Sequence, residues 1–136
     1  MNHKKNILLL LVFILSIFLG GCNPTKPDLV ILPAPNDVQY CHTKSSGSSL
    51  ILIISVKNQI ADTKAKASTL SVNFGTLGIQ TAAIPKLDTT DPVDIEVPIP
   101  SGCYNPDCSF TITVDTNNDV DESNEGNNSV TGTCIG

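Results

Sequence analysis

Apolar and polar residues alternate along much of the chain after residue 27, with the two-residue period of β-strands. The segment Leu50–Asn58 is the most apolar. Leu50, Leu52, Ile54 and Val56 share one of its faces, and the opposite face becomes polar halfway along. This pattern is typical of a strand at the centre of a sheet, with one face in the core.

Further short segments alternate in the same way and end at turn residues. By contrast, Lys44–Ser49 is rich in Ser and is predicted to be a loop. Pro98 marks the predicted strand Val93–Ile99 as an edge strand or as the end of one, because proline has no N–H to donate. About seven short strands separated by turns predict an all-β fold, an antiparallel β-sandwich. The other segments are Asp28–Pro33, Asp37–His42, Ala67–Phe74, a weaker one centred on Gly78–Thr81, Val93–Ile99, Phe110–Val114 and Ser129–Cys134.

The first 21 residues have the pattern of a signal peptide. Lys4 and Lys5 precede an apolar run, Ile7–Leu19, that only Ser16 interrupts. A transmembrane helix needs about 20 apolar residues to cross about 30 Å of hydrocarbon. The shorter run therefore favours an export signal over a spanning helix.

The end of this run, Leu19-Gly20-Gly21-Cys22, resembles the lipobox of bacterial lipoproteins. The resemblance implies cleavage before Cys22 and lipid on its thiol and amino group. Two or three acyl chains anchor a protein durably, where one chain does not. Residues 22–27 are then the lipidated Cys and a short tether, and residues 28–136 are the domain. We expect an exported, lipid-anchored protein facing the periplasm or the cell exterior, with an ordinary secretory signal as the alternative.

The charge of the chain excludes one class of partner. Outside the signal segment there are six Lys, no Arg and 13 acidic residues, so the formal net charge there is −7. Such a chain is a poor nucleic-acid binder. It is also weakly repelled by anionic lipid, so membrane attachment depends on the lipid anchor.

With Cys22 assigned to lipid, an even number of cysteines remains, which in an exported chain suggests two disulfides. Three pairings are possible. We favour Cys103–Cys108, because the residues between them read as a tight turn. Cys41–Cys134 then ties the start of the domain to its end. A zinc site of four thiolates is the alternative, disfavoured by the scattered positions.

Oxygen-bearing side chains are dense after the predicted strand Phe110–Val114. Asp115, Asn117, Asp119 and Asp121 are candidate calcium ligands, since Asp-x-Asn-x-Asp begins an EF-hand loop. The sixth and twelfth positions lack the Gly and Glu of that loop, however. We therefore expect no metal or other cofactor here, with Ca²⁺ as the alternative.

Residues 122–128 are predicted to form a hydrogen-bonded turn. Glu122 and Glu125 are expected to accept bonds from backbone N–H groups. Asn124, Asn127 and Asn128 are read as turn-holding residues, because Asn side chains bond nearby backbone groups. Gly126 is expected to supply a positive φ.

No residues form a catalytic signature. His42 is the only histidine outside the signal segment, and no nucleophile-elbow motif accompanies it. Asp94 and Glu96 lie on the polar face of a strand, where solvated carboxylates are ordinary. We therefore expect a protein that is not an enzyme.

Four segments resemble the CARDB family: PDLV at Pro27–Val30, SVKNQ at Ser55–Gln59, ASTLSV, and above all VDESNEGNN at Val120–Asn128. Family members usually have Asn-Gln-Gly after the second strand, where this chain has Gln59-Ile60. The resemblance implies an immunoglobulin-like or fibronectin-III-like sandwich on an exported bacterial protein. The implied function is a binding, adhesion or scaffolding module whose partner is an envelope protein or a surface polysaccharide. The alternative is an accessory subunit or inhibitor of an envelope enzyme or secretion complex.

Overall fold

The computed structural model describes residues 25–35 and 39–136. These residues form eight strands and a single turn of 3-10 helix at Gly75–Leu77, so the prediction of an all-β fold is confirmed. The strands are β1 (Leu29–Leu32), β2 (Thr43–Ser46), β3 (Ser49–Asn58), β4 (Ser68–Asn73), β5 (Ile79–Ile84), β6 (Val93–Pro98), β7 (Cys108–Thr113) and β8 (Ser129–Cys134).

The first sheet is built on the long strand β3. Strand β6 pairs antiparallel with the middle of β3, with Val93 opposite Val56. Strands β1 and β2 pair with the two ends of β3, β1 starting opposite Asn58 and β2 opposite Leu52. Because a strand has only two edges, β1 and β2 lie end to end along the edge that β6 leaves free.

The second sheet has the order β5-β4-β7-β8, all antiparallel. Strands β7 and β8 form the predicted final hairpin, with Phe110 opposite Gly132. A Cβ atom on Gly132 would lie 2.4 Å from the Gln39 carbonyl oxygen and 2.5 Å from the Phe110 ring. Glycine therefore lets the segment before β2 pass close over β8.

The core lies between the two sheets and is filled by the alternate residues that the sequence pattern predicts. The rings of Phe74 and Phe110 meet there with centroids 6.0 Å apart. Burying a side chain of this kind stabilises the fold by about 1.5–3 kcal/mol. The largest fully buried apolar side chains are Leu29, Leu52, Leu70, Ile84, Ile112, Val56, Val72, Val97, Val114 and Val120.

Strand β2 departs from the sequence prediction. Lys44–Ser49 was expected to be a loop, but Thr43–Ser46 pairs with β3 through a turn in which Gly47 has φ 62°. Of the predicted strand Asp37–His42, residues 37 and 38 lie outside the described part of the chain, and residues 39–42 are not a strand. Tyr40 has φ 59°, which interrupts extended backbone. The free edge of β3, rather than the local sequence pattern, therefore determines which segment pairs with β3.

Smaller departures concern the ends of strands. Leu50, predicted to face the core, is 37 % exposed at the start of β3. The weak strand centred on Gly78–Thr81 is β5, which runs to Ile84. Pro98 ends β6, and within the described residues β6 pairs only with β3, as expected of an edge strand.

Both favoured disulfides are present, Cys41–Cys134 with a sequence separation of 93 and Cys103–Cys108 with a separation of 5. A four-thiolate zinc site is therefore wrong, because all four sulfur atoms are in disulfide bonds. The first bond joins the segment before β2 to the end of β8, and so links the two sheets.

The predicted signal peptide and Cys22 lie outside the described residues. Of the predicted tether, only residues 25–27 are described. Within residues 25–35 and 39–136, no helix is long and apolar enough to cross the bilayer.

Candidate functional site

The connection between β7 and β8 is organised by a buried aspartate. The two carboxylate oxygens of Asp115 accept bonds from the N–H groups of Asp119 and Val120, both at 2.9 Å. Asp115 and Asn118 have φ 48° and 56°, so they make the left-handed bends of this turn. The turn buries Val120 beneath it.

The prediction that Gly126 supplies a positive φ is wrong, since the positive-φ residues of this turn are Asp115 and Asn118. Gly126 has another reason to be small. Its N–H donates to Asn124 Oδ1 at 3.0 Å, and a Cβ atom would lie 3.2 Å from that oxygen. The glycine thus allows the Asn124 side chain to approach the backbone closely.

The second half of the turn binds the entry to β1, and we call the contacts between residues 121–128 and residues 26–29 the N-terminal clasp. Glu122 Oε2 accepts a hydrogen bond from the N–H of Leu29. The N–H of Ser123 donates to the Pro27 carbonyl oxygen at 2.8 Å. The clasp therefore joins segments that are 93 residues apart in sequence.

Two side-chain contacts complete the clasp. Lys26 Nζ lies 2.7 Å from Asp121 Oδ1, in an exposed ion pair of the kind that adds little stability. Asn127 Nδ2 donates to Asp28 Oδ1 at 2.9 Å. Asp28 is 4 % exposed, and its other carboxylate oxygen accepts from Gln59 Nε2 at 2.6 Å.

Asn58 connects the clasp to the end of β3. It is fully buried, and its Oδ1 accepts from the N–H groups of Asp28 (3.1 Å) and Ile60 (3.2 Å). Its Nδ2 donates to the carbonyl and the hydroxyl of Thr63 at 3.1 and 2.9 Å. The turn at Gln59-Ile60, where the chain departs from the family pattern, is therefore held by the preceding asparagine.

Three carboxylates of the turn lie together. Ligand atoms of Asp115, Glu122 and Glu125 are within 4.8 Å of one another, and the first two residues are buried. Glu125 accepts from the N–H of Glu122 at 2.9 Å, and Asn128 Nδ2 donates to Glu122 at 2.9 Å. Glu125 thus accepts from a backbone N–H of the turn, as the sequence predicted, whereas the backbone N–H that bonds to Glu122 is that of Leu29, outside the turn.

The environment of Glu122 favours its protonated form. Its pKa is raised to about 7, chiefly because burial removes water from the charged carboxylate. Hydrogen bonds from Leu29 and Asn128 oppose the rise, and the charges of Glu125 and Asp115 add to it. Near neutral pH the Glu122 carboxyl group is therefore partly protonated.

The four candidate calcium ligands do not come together. Only Asp115 belongs to the carboxylate cluster, and both of its oxygens already accept backbone N–H bonds. Asn117 donates to Thr69 Oγ1 at 3.2 Å, and Asp121 pairs with Lys26. Ca²⁺ takes six to eight oxygen ligands, and of these four residues only Asp115 lies in the carboxylate cluster.

His42, Asp94 and Glu96 make their contacts outside this turn. The His42 carbonyl oxygen accepts from the N–H of Ile53 beside β3. Asp94 accepts from the Ser55 hydroxyl, and Glu96 pairs with Lys44. The side chains of Asp94 and Glu96 lie on the outer face of the first sheet.

Comparison with known proteins agrees with this architecture. The CARDB family model matches residues 26–132. An NMR structure of a domain from a candidate cell surface protein of Methanosarcina acetivorans is 20% identical, with a TM-score of 0.61 over 82% of this chain and 92% of that one.

A second similar structure is the crystal structure of a CARDB domain from Pyrococcus furiosus in complex with di-metal ions. It is 19% identical, with a TM-score of 0.58 over 83% of this chain and 92% of that one. None of the curated proteins matches the chain. The family match covers most of the sequence and both similar structures share its sandwich fold, so the chain belongs to the CARDB family.

Proposed function

We propose that this protein is a non-enzymatic binding, adhesion or scaffolding module, held at the bacterial envelope by lipid on Cys22. The observation that carries this function is the CARDB match over residues 26–132, together with a similar domain from a candidate cell surface protein. The two disulfides support export, because such bonds persist in oxidising compartments.

The clasp supports an orientation for the anchored domain. The tether enters at the end of the sandwich where residues 26–29 meet the β7–β8 turn. Five residues from Cys22 to Lys26 span at most roughly 18 Å. The opposite end of the sandwich, with Gly47, Gly75–Leu77 and the Cys103–Cys108 loop, then points away from the membrane.

Changing the proposed lipidation site tests the anchor. With Cys22→Ala in the full chain, we expect no incorporation of an alkyne fatty acid and loss of the protein from the membrane fraction, because the thiol is the acyl acceptor. Metabolic labelling and fractionation measure both. Asn23→Ala is the matched control and should remain labelled. Label on the Cys22→Ala variant would contradict the anchor.

In-cell crosslinking separates the proposed function from an accessory subunit or inhibitor. A binding or adhesion module is expected to yield no single envelope protein in near-equal amount. One dominant, stoichiometric protein partner would favour the accessory role instead.

Cation binding is a second candidate for the turn, favoured by the three clustered carboxylates and by the metal-containing domain from Pyrococcus furiosus. We propose instead that hydrogen bonds alone order the turn, so millimolar Ca²⁺ should leave the melting temperature unchanged in a thermal melt. A cation at about 100 times its Kd would add about 2.7 kcal/mol of stability. A rise of more than about 5 °C would therefore identify a cation site.

A further inference from the structure

The outer face of the second sheet has no charged residue at any of its strand positions. Cross-strand partners lie on the same face of a sheet, so the registers show which residues share it. Going across the four strands, these are Ile79, Thr81 and Ala83 on β5, Thr69, Ser71 and Asn73 on β4, Ser109, Thr111 and Thr113 on β7, and Ser129, Thr131 and Thr133 on β8.

This composition differs from that of the other outer face. The first sheet presents Lys44, Lys57, Asp94 and Glu96 outward, in the alternation expected of a solvated surface. The domain as a whole carries a large excess of acidic residues. An array of hydroxyl groups free of charge is therefore a distinct surface on this molecule, and we call it the hydroxyl face.

A groove of about 320 Å³ crosses the hydroxyl face. Its walls include Asn73, Ser109, Thr111, Thr131 and Thr133. Asn73, Thr111 and Thr131 form one row across β4, β7 and β8. Neighbouring strands are about 4.8 Å apart, so the row offers a polar group at each such step.

Hydrogen-bonding capacity remains free in this row. Ser109 and Thr133 bond each other at 3.1 Å, and Asn73 Oδ1 accepts from the N–H of Gly75 at 2.9 Å. The hydroxyls of Thr111 and Thr131 have no such bond within the described residues, and the amide N–H groups of Asn73 are also free of one. These groups can both donate to and accept from a ligand.

The side chains of the hydroxyl face disfavour several classes of partner. Protein interfaces are anchored by aromatic side chains, Met and Arg, none of which lies among the outward positions of this sheet. Polyanions require basic side chains, which are also absent from those positions. A small apolar ligand requires an enclosed apolar pocket, whereas this groove is open. Gly75, Phe110 and Gly132 line it beside the hydroxyl-bearing side chains.

We propose that the groove around Asn73, Thr111 and Thr131 binds a neutral polysaccharide. This proposal rests on the proposed function, whose ligand class it names. The neutral hydroxyl groups of a sugar chain match the free donors and acceptors, and no charge repels them. The groove lies toward the Gly75–Leu77 end of the sheet, away from the end where the tether enters. An anchored domain would thus present the groove outward from the membrane.

The test uses cells that display the full chain, incubated with fluorescent dextran, mannan or galactan and, for comparison, anionic alginate. We expect binding of at least one neutral polymer and not of alginate. Thr111→Val with Thr131→Val keeps side-chain shape and strand propensity but removes both free hydroxyls. The double variant should bind the neutral polymer about tenfold more weakly or worse. Thr81→Val, on the same face outside the groove, should bind as the unchanged protein does.

Two results would overturn the inference. Retained affinity in the Thr111→Val/Thr131→Val variant would remove the groove as the site, and binding of none of the neutral polymers would remove the ligand class. Equal surface amounts of all variants, measured with an antibody, show that they fold. Failure of the proposed function would be detected by separate measurements. These are fatty-acid label on the Cys22→Ala variant, or one protein crosslinked in stoichiometric amount.

Discussion

Replacing Cys41 and Cys134 together by Ala is expected to lower the free energy of unfolding by about 4 to 5 kcal/mol. The bond closes a loop with a sequence separation of 93, so its loss releases a large conformational entropy in the unfolded chain. It also removes the covalent link between the segment before β2 and the end of β8. Urea denaturation of the purified variant and the unchanged protein measures the difference.

The second disulfide supplies the matched control. Cys103 and Cys108 are only 5 residues apart, so replacing both by Ala should cost about 2 kcal/mol by the same entropy relation. All four positions receive the same residue, which makes the two double variants comparable. Equal losses in the two variants would show that loop length does not determine the stabilisation.

Replacing Glu122 by Gln is expected to change how stability depends on pH. The pKa of Glu122 is about 7 in the folded protein, against an ordinary value of 4.5. Between these values the folded state binds more protons than the unfolded state, so this carboxyl group makes stability fall as pH rises. Its contribution is favourable below pH 4.5 and is lost through pH 7. The slope is at most about 1.4 kcal/mol per pH unit.

Gln imitates the protonated carboxyl group and does not titrate. Its oxygen can still accept from the N–H of Leu29, and its amide can donate to the clustered carboxylates. Asn128 Oδ1, buried and without a partner within the described residues, becomes an acceptor for that amide if the Asn128 side chain rotates. Relative to the unchanged protein, Glu122→Gln should therefore gain about 1 to 3 kcal/mol between pH 5 and pH 8.

The control for this prediction is Asp121→Asn, which alters the neighbouring carboxylate. The Asp121 side chain is 80% exposed, and its pair with Lys26 is on the surface. This variant should keep the pH dependence of the unchanged protein, as urea denaturation at several pH values can show. A difference between Glu122→Gln and the unchanged protein that stays constant with pH would show that Glu122 is ionised in the fold.

The strands that the sequence predicted well are those whose burial alternates. In β4, Leu70 and Val72 face the core and Ser71 faces outward, because each side chain is selected by the side of the sheet it meets. Strand β2 has no apolar residue at all. Strand β2 forms because β3 has an unpaired edge at Leu52. The backbone N–H and C=O groups of a polar segment can bond to that edge as well as those of an apolar segment. Local pattern cannot reveal such a strand.

The sequence predicted the turn of the candidate site but not the residues that the turn contacts. The density of Asp, Glu and Asn located the turn and the role of its glutamates as acceptors. Its partners, Asp28 and Leu29, lie 93 residues or more away, and no periodicity relates them to the turn. The structural role of Asn58 was also missed, because its bond to the N–H of Asp28 joins residues 30 apart that no periodicity relates. The positive φ of Asp115 was not predicted, because Gly126 lies in the same connection and glycine adopts positive φ most readily.

The bond between Cys41 and Cys134 also bears on mechanical load. A cell held through this protein would pull on the proposed anchor at Cys22, and the pull would reach β1 and the clasp first. If β1 detached, unravelling from that side would stop at Cys41, which is covalently tied to the last strand. Residues 28–41 would then lengthen the tether by no more than roughly 50 Å. The load would then pass through this bond to the end of β8 in the second sheet.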